Sequence, residues 1–412
     1  MSLLGAQTPT QNKFHSVFDS MTDSMGKDQL FQRCYSMSVR KLRIDSIEAL
    51  PVSLPMEPYS DSYGYYDHLD YVIVKVHTDE GPTGLGEASP IHPGFYGETQ
   101  HSIVSIVERY VAPIIRGEDP LNIEKIESMV DRGISGNACA KGAIDMALYD
   151  IVGKALGVPV CTLLGGFHRE KAAFGLELGF TKPKEVSAKA ERLLNMGAKV
   201  VKLHVGRTLK EDVEAIRALH DAVGDAAVIR ADANGAYTTA EAIEVMKKVE
   251  KCELEYFEQP VARWNIEGLR ILKQTIHTPI AVDESVWTPE DALRICKENA
   301  ADVVNIKITR VGGLNKAKKI ADIANASFLK SHVGCEAEFG VGMAAKAHLA
   351  VSLGNATCAS AGEFTEIAWL RDNIVKNPIV IKDGFVKPSD KPGLGIDLDE
   401  EKMKRYSKTL QF

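Results

Sequence analysis

Asp232 in IRADANG, Glu258 in YFEQP and Asp283 in AVDES each close a short apolar run, and they stand 26 and 25 residues apart. That interval is one strand plus one helix, so three successive strands of a parallel barrel would each deliver one carboxylate to the same rim. Three carboxylates in one place repel one another, and oxygen-only clusters of this kind hold hard divalent cations such as Mg²⁺. One such acid alone reads as a helix cap or the partner of a lysine, but three at this period do not. The pattern is that of a metal-dependent enzyme.

Neighbouring strand ends supply the rest of a reaction. Lys202-Leu203-His204 lies in KVVKLHV, Asn234 follows Asp232, and Asn305 and Lys307 lie in DVVNIKI. Side chains at i and i+2 share a face, so Lys202 and His204, and likewise Asn305 and Lys307, point into the barrel mouth. This set suits removal of a proton next to a carboxylate. The metal and Lys202 stabilise an enediolate, while His204 and Lys307 transfer protons on either face. A surface role for Lys307 is disfavoured because it follows a buried apolar run. Histidine starts at about 6.5 and is expected to stay neutral beside Lys202 and a divalent cation, able to accept a proton. Its alternative role is a hydrogen bond to a substrate hydroxyl or carboxylate. Asn234 and Asn305 are candidate substrate contacts. Glu284, next to a presumed ligand, is expected to point the other way and pair elsewhere.

The elements that must position these groups follow a regular rhythm after Gly166. Strand candidates at 172–178, 199–205, 226–232, 254–260, 279–285, 302–308, 327–333 and 357–363 alternate with helical patterns such as LKEDVEAIRALHDAV and LNKAKKIADIANA. Eight such units predict a closed (β/α)₈-type, TIM-like α/β barrel over residues 169–370. A doubly wound open sheet is the runner-up, but no GxGxxG follows its first strand. Residues 1–36 read as a loose tail, and 37–168 as an α+β capping domain whose strands include VRKLRIDSIEALPV and LDYVIVKVHT. Residues 371–412 are expected to pack back on that cap. Between its first two strands PYSDSYGYYDHLD, with Gly64 as a hinge, reads as a loop or lid. Its tyrosines, Tyr59 and Tyr63 among them, suggest contact with an apolar or ring-shaped substrate.

A formal charge of −7 and a pI near 5.9 leave no basic footprint for nucleic acid. Apolar stretches are strand-sized and broken by charge, so no membrane span is expected. The seven cysteines are scattered and form no CxxC, which fits core residues of a reducing, cytoplasmic compartment rather than disulfides or zinc sites.

From about residue 39 to its end the chain resembles the enolase superfamily. AKGAIDMALYDIVGKALGVPVCTLLGG is similar to the helix and linker that lead into its barrel, and DANGAY, FEQP and DES to its metal-ligand strands. NIKITRVGG and GCEAEFGVG, the latter assigned to the seventh strand, resemble the muconate lactonising enzyme subgroup. The resemblance implies Mg²⁺, with Mn²⁺ as an alternative, a small-molecule carboxylate substrate and a homo-oligomer. It implies roles for Glu338 and Glu363 in contacting metal-bound substrate or supplying a proton, and use of 58–70 and 92–97 to cap the mouth. Glu87 and Asp145 match family-like motifs and read as structural.

Two departures bear on the reaction. The subgroup has Lys-x-Lys on strand two, where this chain has Lys202-x-His204. The mandelate racemase subgroup pairs a strand-seven His with a strand-six Asp; here His332 would face Lys307, so His332 reads as a structural or rim residue. Dipeptide epimerases carry Asp-x-Asp on strand eight, where AGEFTE holds Glu363 and Glu366, so dipeptide epimerisation is not expected. An isomerase (cycloisomerase, racemase or epimerase) is the leading expectation. A dehydratase of a hydroxy acid or hydroxyproline-like substrate is the alternative, and a catalytically inactive binding barrel is the non-enzyme reading.

Overall fold

The computed structural model describes residues 42–60, 65–91, 93–357 and 362–410. The loose-tail assignment, Tyr63, Gly64 and His92 fall outside them.

Arg43 to Phe412 forms one compact unit. It opens with an antiparallel sheet of β1 (Ile44–Ser60), β2 (Tyr65–Thr78) and β3 (Gly84–Ala88), in the order β1-β2-β3. β-branched runs such as YVIVKV supply the pleated surface that this pairing needs. The segment expected to be a loop is mostly strand. β1 and β2 run on for 17 and 14 residues, with Tyr59 opposite Tyr66 and a register shift between Pro55 and Tyr59. The alternating pattern and the cross-strand tyrosine pair continue the ladder where composition alone suggested a turn.

Behind this sheet lies the helix Ala138–Leu156, buried nearly all round. Small residues on both sides let it approach, since a Cβ on Gly84 or Gly86 would collide with the backbone of Ala147 or Ala143.

The barrel follows: β4 (Ala172–Phe180), β5 (Val200–His204), β6 (Val228–Asp232), β7 (Phe257–Glu258), β8 (Ile280–Val282), β9 (Val303–Ile306), β10 (Lys330–Val333) and β11 (Gly362–Glu363). All eight pair in parallel in chain order, and Gly362 pairs with Phe174 to close the ring. Several strands are shorter than their apolar runs. The motif GCEAEFGVG lies beyond the seventh strand, in a loop and the first turn of the helix Gly340–Ser352. Helix starts are marked by threonine caps, as at Thr208, Thr238 and Thr288, the last two with reciprocal capping boxes.

Cap and barrel are joined by buried carboxylates. Glu87 accepts hydrogen bonds from the backbone N–H groups of Phe339, Val341 and Gly342. Asp145 accepts one from Leu314. The C-terminal segment returns to the cap: Val52 bridges Ser407, and Lys408 N–H donates to Pro51. A hairpin of β12 (Ile381–Lys382) and β13 (Phe385–Val386) adds to the start of β4. Among the described residues no helix is long and apolar enough to cross a membrane.

Candidate active site

The three carboxylates meet. Asp232 and Glu258 end β6 and β7, Asp283 follows β8, and each offers an oxygen within 4.8 Å of the others. All three are buried to 1% exposure or less. Burial, then the charge of Asp232, pushes the Glu258 carboxyl well above its ordinary range. That is the electrostatic signature of a site short of positive charge. The donor set is oxygen only and carries three formal negative charges, which fits Mg²⁺ or Mn²⁺ rather than a soft metal.

Each ligand is held by neighbours. Glu258 accepts from Asn305 Nδ2, and Asp283 accepts from Arg310 Nη1, whose Nη2 donates to the Asn305 carbonyl at 3.0 Å. Burial raises the proton affinity of Asp283, but Arg310 and then Lys307 outweigh it and hold the carboxyl down at about 2. Gln259 of FEQP, at φ 32°, accepts from the Asp283 and Ser285 N–H groups and donates to Val261 O and Ser285 Oγ. Its amide thereby ties the end of β7 to the end of β8.

Lys202 sits among four carboxylates, at 3.0 Å from Glu363, 3.3 Å from Glu258, 3.4 Å from Asp232 and 3.5 Å from Glu177. Burial opposes its charge, yet these acids keep it a cation well above the ordinary lysine range. Lys307 Nζ lies 2.9 Å from Asp283 Oδ2 and 5.3 Å from the centre of the Phe95 ring. It too is raised, with Asp283 overcoming burial.

His204 differs from the neutral imidazole expected. Its Nε2 is 2.7 Å from Glu177 Oε2 and its Nδ1 is 2.8 Å from Asn234 Oδ1. Asn234 Nδ2 donates to Glu284, which leaves its oxygen facing the ring. Both ring nitrogens therefore meet acceptors, the arrangement of an imidazolium. Burial lowers its proton affinity, but the Glu177 hydrogen bond and the Asp232 and Glu177 charges lift it to about 9. The expectation missed this because Glu177, in the first-strand run AAFGLEL, looked like one acid in an apolar segment. Its position two residues after Gly175, on an inward face beside β5, is the signal that would have found it.

The remaining candidates separate. Asn234 and Tyr59 line the cavity at the mouth with Lys202, His204, Asp232 and Lys307. Asn305 is fully buried, donates to the metal-ligand candidate Glu258 and is not in that lining. Glu338 Oε2 accepts from Lys346 Nζ and the Glu336 N–H, both at 2.8 Å, while its buried Oε1 has no hydrogen-bond partner among the described residues. Glu363 faces Lys202 and, on its other side, His332 at 3.2 Å and Arg230 at 3.7 Å. His332 is fully buried inside the barrel, so it is not a rim residue. Glu284 accepts from Asn234, and burial with the charges of Asp283 and Asp232 lifts it to about 7, Lys307 and the Asn234 hydrogen bond opposing. Sequence reasoning also passed over Arg310 and Glu336. Glu336 accepts from Tyr96 OH at 2.5 Å and from the Thr309 and Arg310 N–H groups.

Residues 185–402 match the family described as enolase C-terminal domain-like, and residues 46–165 match the mandelate racemase / muconate lactonizing enzyme N-terminal domain. The chain is 33% identical to an L-Ala-D/L-Glu epimerase of Clostridium acetobutylicum, over 84% of this chain and 96% of that one. It is 31% identical to an N-succinyl-L-Arg/Lys racemase of Bacillus cereus, over 89% of this chain and 98% of that one. The solved structure of muconate lactonizing enzyme from Pseudomonas fluorescens with muconolactone aligns at a TM-score of 0.86 and 31% identity, over 90% of this chain and 100% of that one. Epimerase, racemase and cycloisomerase relatives support an enzyme of the isomerase type and, at nearly equal identity, do not choose among those reactions. Matched in both domains and along nearly the whole length of these relatives, the chain belongs to the enolase superfamily, in its muconate lactonizing enzyme subgroup.

Proposed function

We propose that this protein is a Mg²⁺-dependent isomerase that removes the α-proton of a small carboxylate and returns a proton to the resulting enediolate on another face or atom. The observation that carries this reading is the placement of His204 at the end of the second and Lys307 just after the sixth of eight barrel strands, half a turn apart, with the carboxylates at the ends of the third to fifth strands between them and Lys202 two residues before His204.

When bound by Asp232, Glu258 and Asp283, Mg²⁺ supplies the positive charge that makes an α-proton acidic. Lys202, fixed by its carboxylate neighbours, neutralises charge that develops on the enediolate oxygen. Lys307 takes the α-proton on its face. Asp283 holds this amine protonated against burial, Arg310 and Lys202, so a cation held on the Asp283 carboxylate would offset that hold and let the amine act as base. His204 delivers a proton on the opposite face, and Glu177 steadies its charge before delivery.

The doubly donating His204 favours a second reading as well. An imidazolium is a ready acid for a departing β-hydroxyl, so the same site would dehydrate a β-hydroxy acid.

Solvent deuterium incorporation at the α-carbon of a panel of carboxylates, with and without Mg²⁺, tests the proposal. Mg²⁺-dependent exchange supports it, and the absence of exchange with every member refutes it. Product analysis then separates isomerisation from loss of water.

A further inference from the structure

Resting on the α-proton reading above, we propose that the substrate is a monocarboxylate whose remainder is an uncharged hydrophobic group of ring size, and that the site rejects a second carboxylate. Beyond the reacting groups, the cavity wall is made by Met56, Tyr59, Tyr66, Leu69, Phe95 and Trp369. They come from the β1–β2 ribbon, the turn at Pro93–Tyr96 and the short helix Glu366–Trp369. Tyr59 and Trp369 lie with ring centres 4.0 Å apart, tilted by 40°. Aromatic and aliphatic surface packed this way recognises apolar rings by contact area.

Charge in the cavity is already committed. Among the described residues its lining holds three cationic side chains. Lys202 is shared by four carboxylates, His204 is bonded to Glu177, and Lys307 is paired with Asp283. The lining contains no arginine. Among the described residues, a distal carboxylate would therefore meet a wall of aliphatic and aromatic side chains with no cation beyond the reacting groups. The cost of burying an unpaired anion turns that mismatch into discrimination. A distal ammonium finds ring faces, but the one acid beyond the metal ligands in the lining, Glu177, is engaged by Lys202 and His204.

The test uses the full chain with Mg²⁺ and carboxylates that share one reacting end but carry a distal phenyl, cyclohexyl, carboxyl or aminoalkyl group. Exchange kcat/KM and calorimetric Kd are both read. The phenyl and cyclohexyl members are expected to exceed the carboxyl member by ~100-fold in each. Equal or better handling of the carboxyl or aminoalkyl member overturns the inference, as does failure of every member to bind, while exchange without preference leaves the α-proton reading intact. Tighter binding of the apolar members without exchange upholds the inference and refutes that reading. In Leu69→Lys, with its fold checked by circular dichroism, the carboxyl member should gain ~10-fold relative to phenyl. No gain in a folded variant counts against the inference, and an unfolded variant leaves the decision to the wild-type panel.

Discussion

His204 Nε2 lies 2.7 Å from Glu177 Oε2, a carboxylate–imidazolium contact buried at the mouth of the barrel. It joins the first and second barrel strands and sets the charge of the histidine before any substrate arrives. Glu177→Gln keeps an acceptor but removes the charge, so the His204 pKa should fall from about 9 by roughly 1 unit or more. If His204 is the acid, turnover declines as pH rises through its pKa, and the variant's decline moves to lower pH. Imidazole NMR titration alongside the pH–rate profile checks both. An unmoved NMR pKa would remove Glu177 as the cause.

Lys307→Ala should lower exchange by about 10²–10⁴-fold, the usual contribution of a positioned base, while KM changes little. His204→Ala should spare exchange on the Lys307 face but abolish formation of the opposite configuration. If both reactions survived loss of Lys307, the base would have to be sought elsewhere.

Glu258→Gln removes one of three like charges while its Lys202 and Asn305 partners remain. Wild-type Tm should rise with Mg²⁺ by mass action, and the variant's Tm should not respond. Without added metal, the variant should melt at or above the wild-type temperature, because the burial and the Asp232 repulsion that disfavour the Glu258 carboxylate no longer act on a charge. Differential scanning calorimetry with and without Mg²⁺ reads both effects.

Arg310→Met removes one of the two cations on the Asp283 carboxylate and leaves Lys307 as the other, so it should cost about 1–3 kcal/mol of stability in metal-free protein at neutral pH. The Asp283 pKa is depressed to about 2 on folding, so the stability it contributes is present above about 4 and lost as pH falls towards 2. The gap between wild type and variant should accordingly be wide at pH 7 and narrow towards pH 2. Urea unfolding across that range measures it, and a gap that stayed constant with pH would detach the effect from Asp283.

Residues at strand ends were the most legible part of the chain. Asp232, Glu258, Asp283, Lys202 and Lys307 follow short apolar runs, and period-two alternation assigns their faces without any knowledge of partners. Pairings across the barrel were not legible. Arg230 meets His332 and Glu363, each more than a hundred residues later, and no local pattern records such a contact. The protonation of His204 in the metal-free protein was illegible for the same reason, since it depends on Glu177 of another strand. The Tyr-rich segment misled through composition: Pro, Ser and Gly suggested a loop, while the ladder with β2 kept it extended.

Closure of the ring through Gly362 and Phe174 bears on how the chain reaches this state. Until Glu363 joins, β4 and β10 are open parallel edges with unpaired backbone groups, a template for association with other chains. Contacts so distant in sequence form late, because the entropy of closing the loop must be met first. Newly made protein should therefore be most prone to aggregate just before its last barrel strand is available, and truncation ahead of Gly362 should yield insoluble chains rather than a smaller soluble barrel.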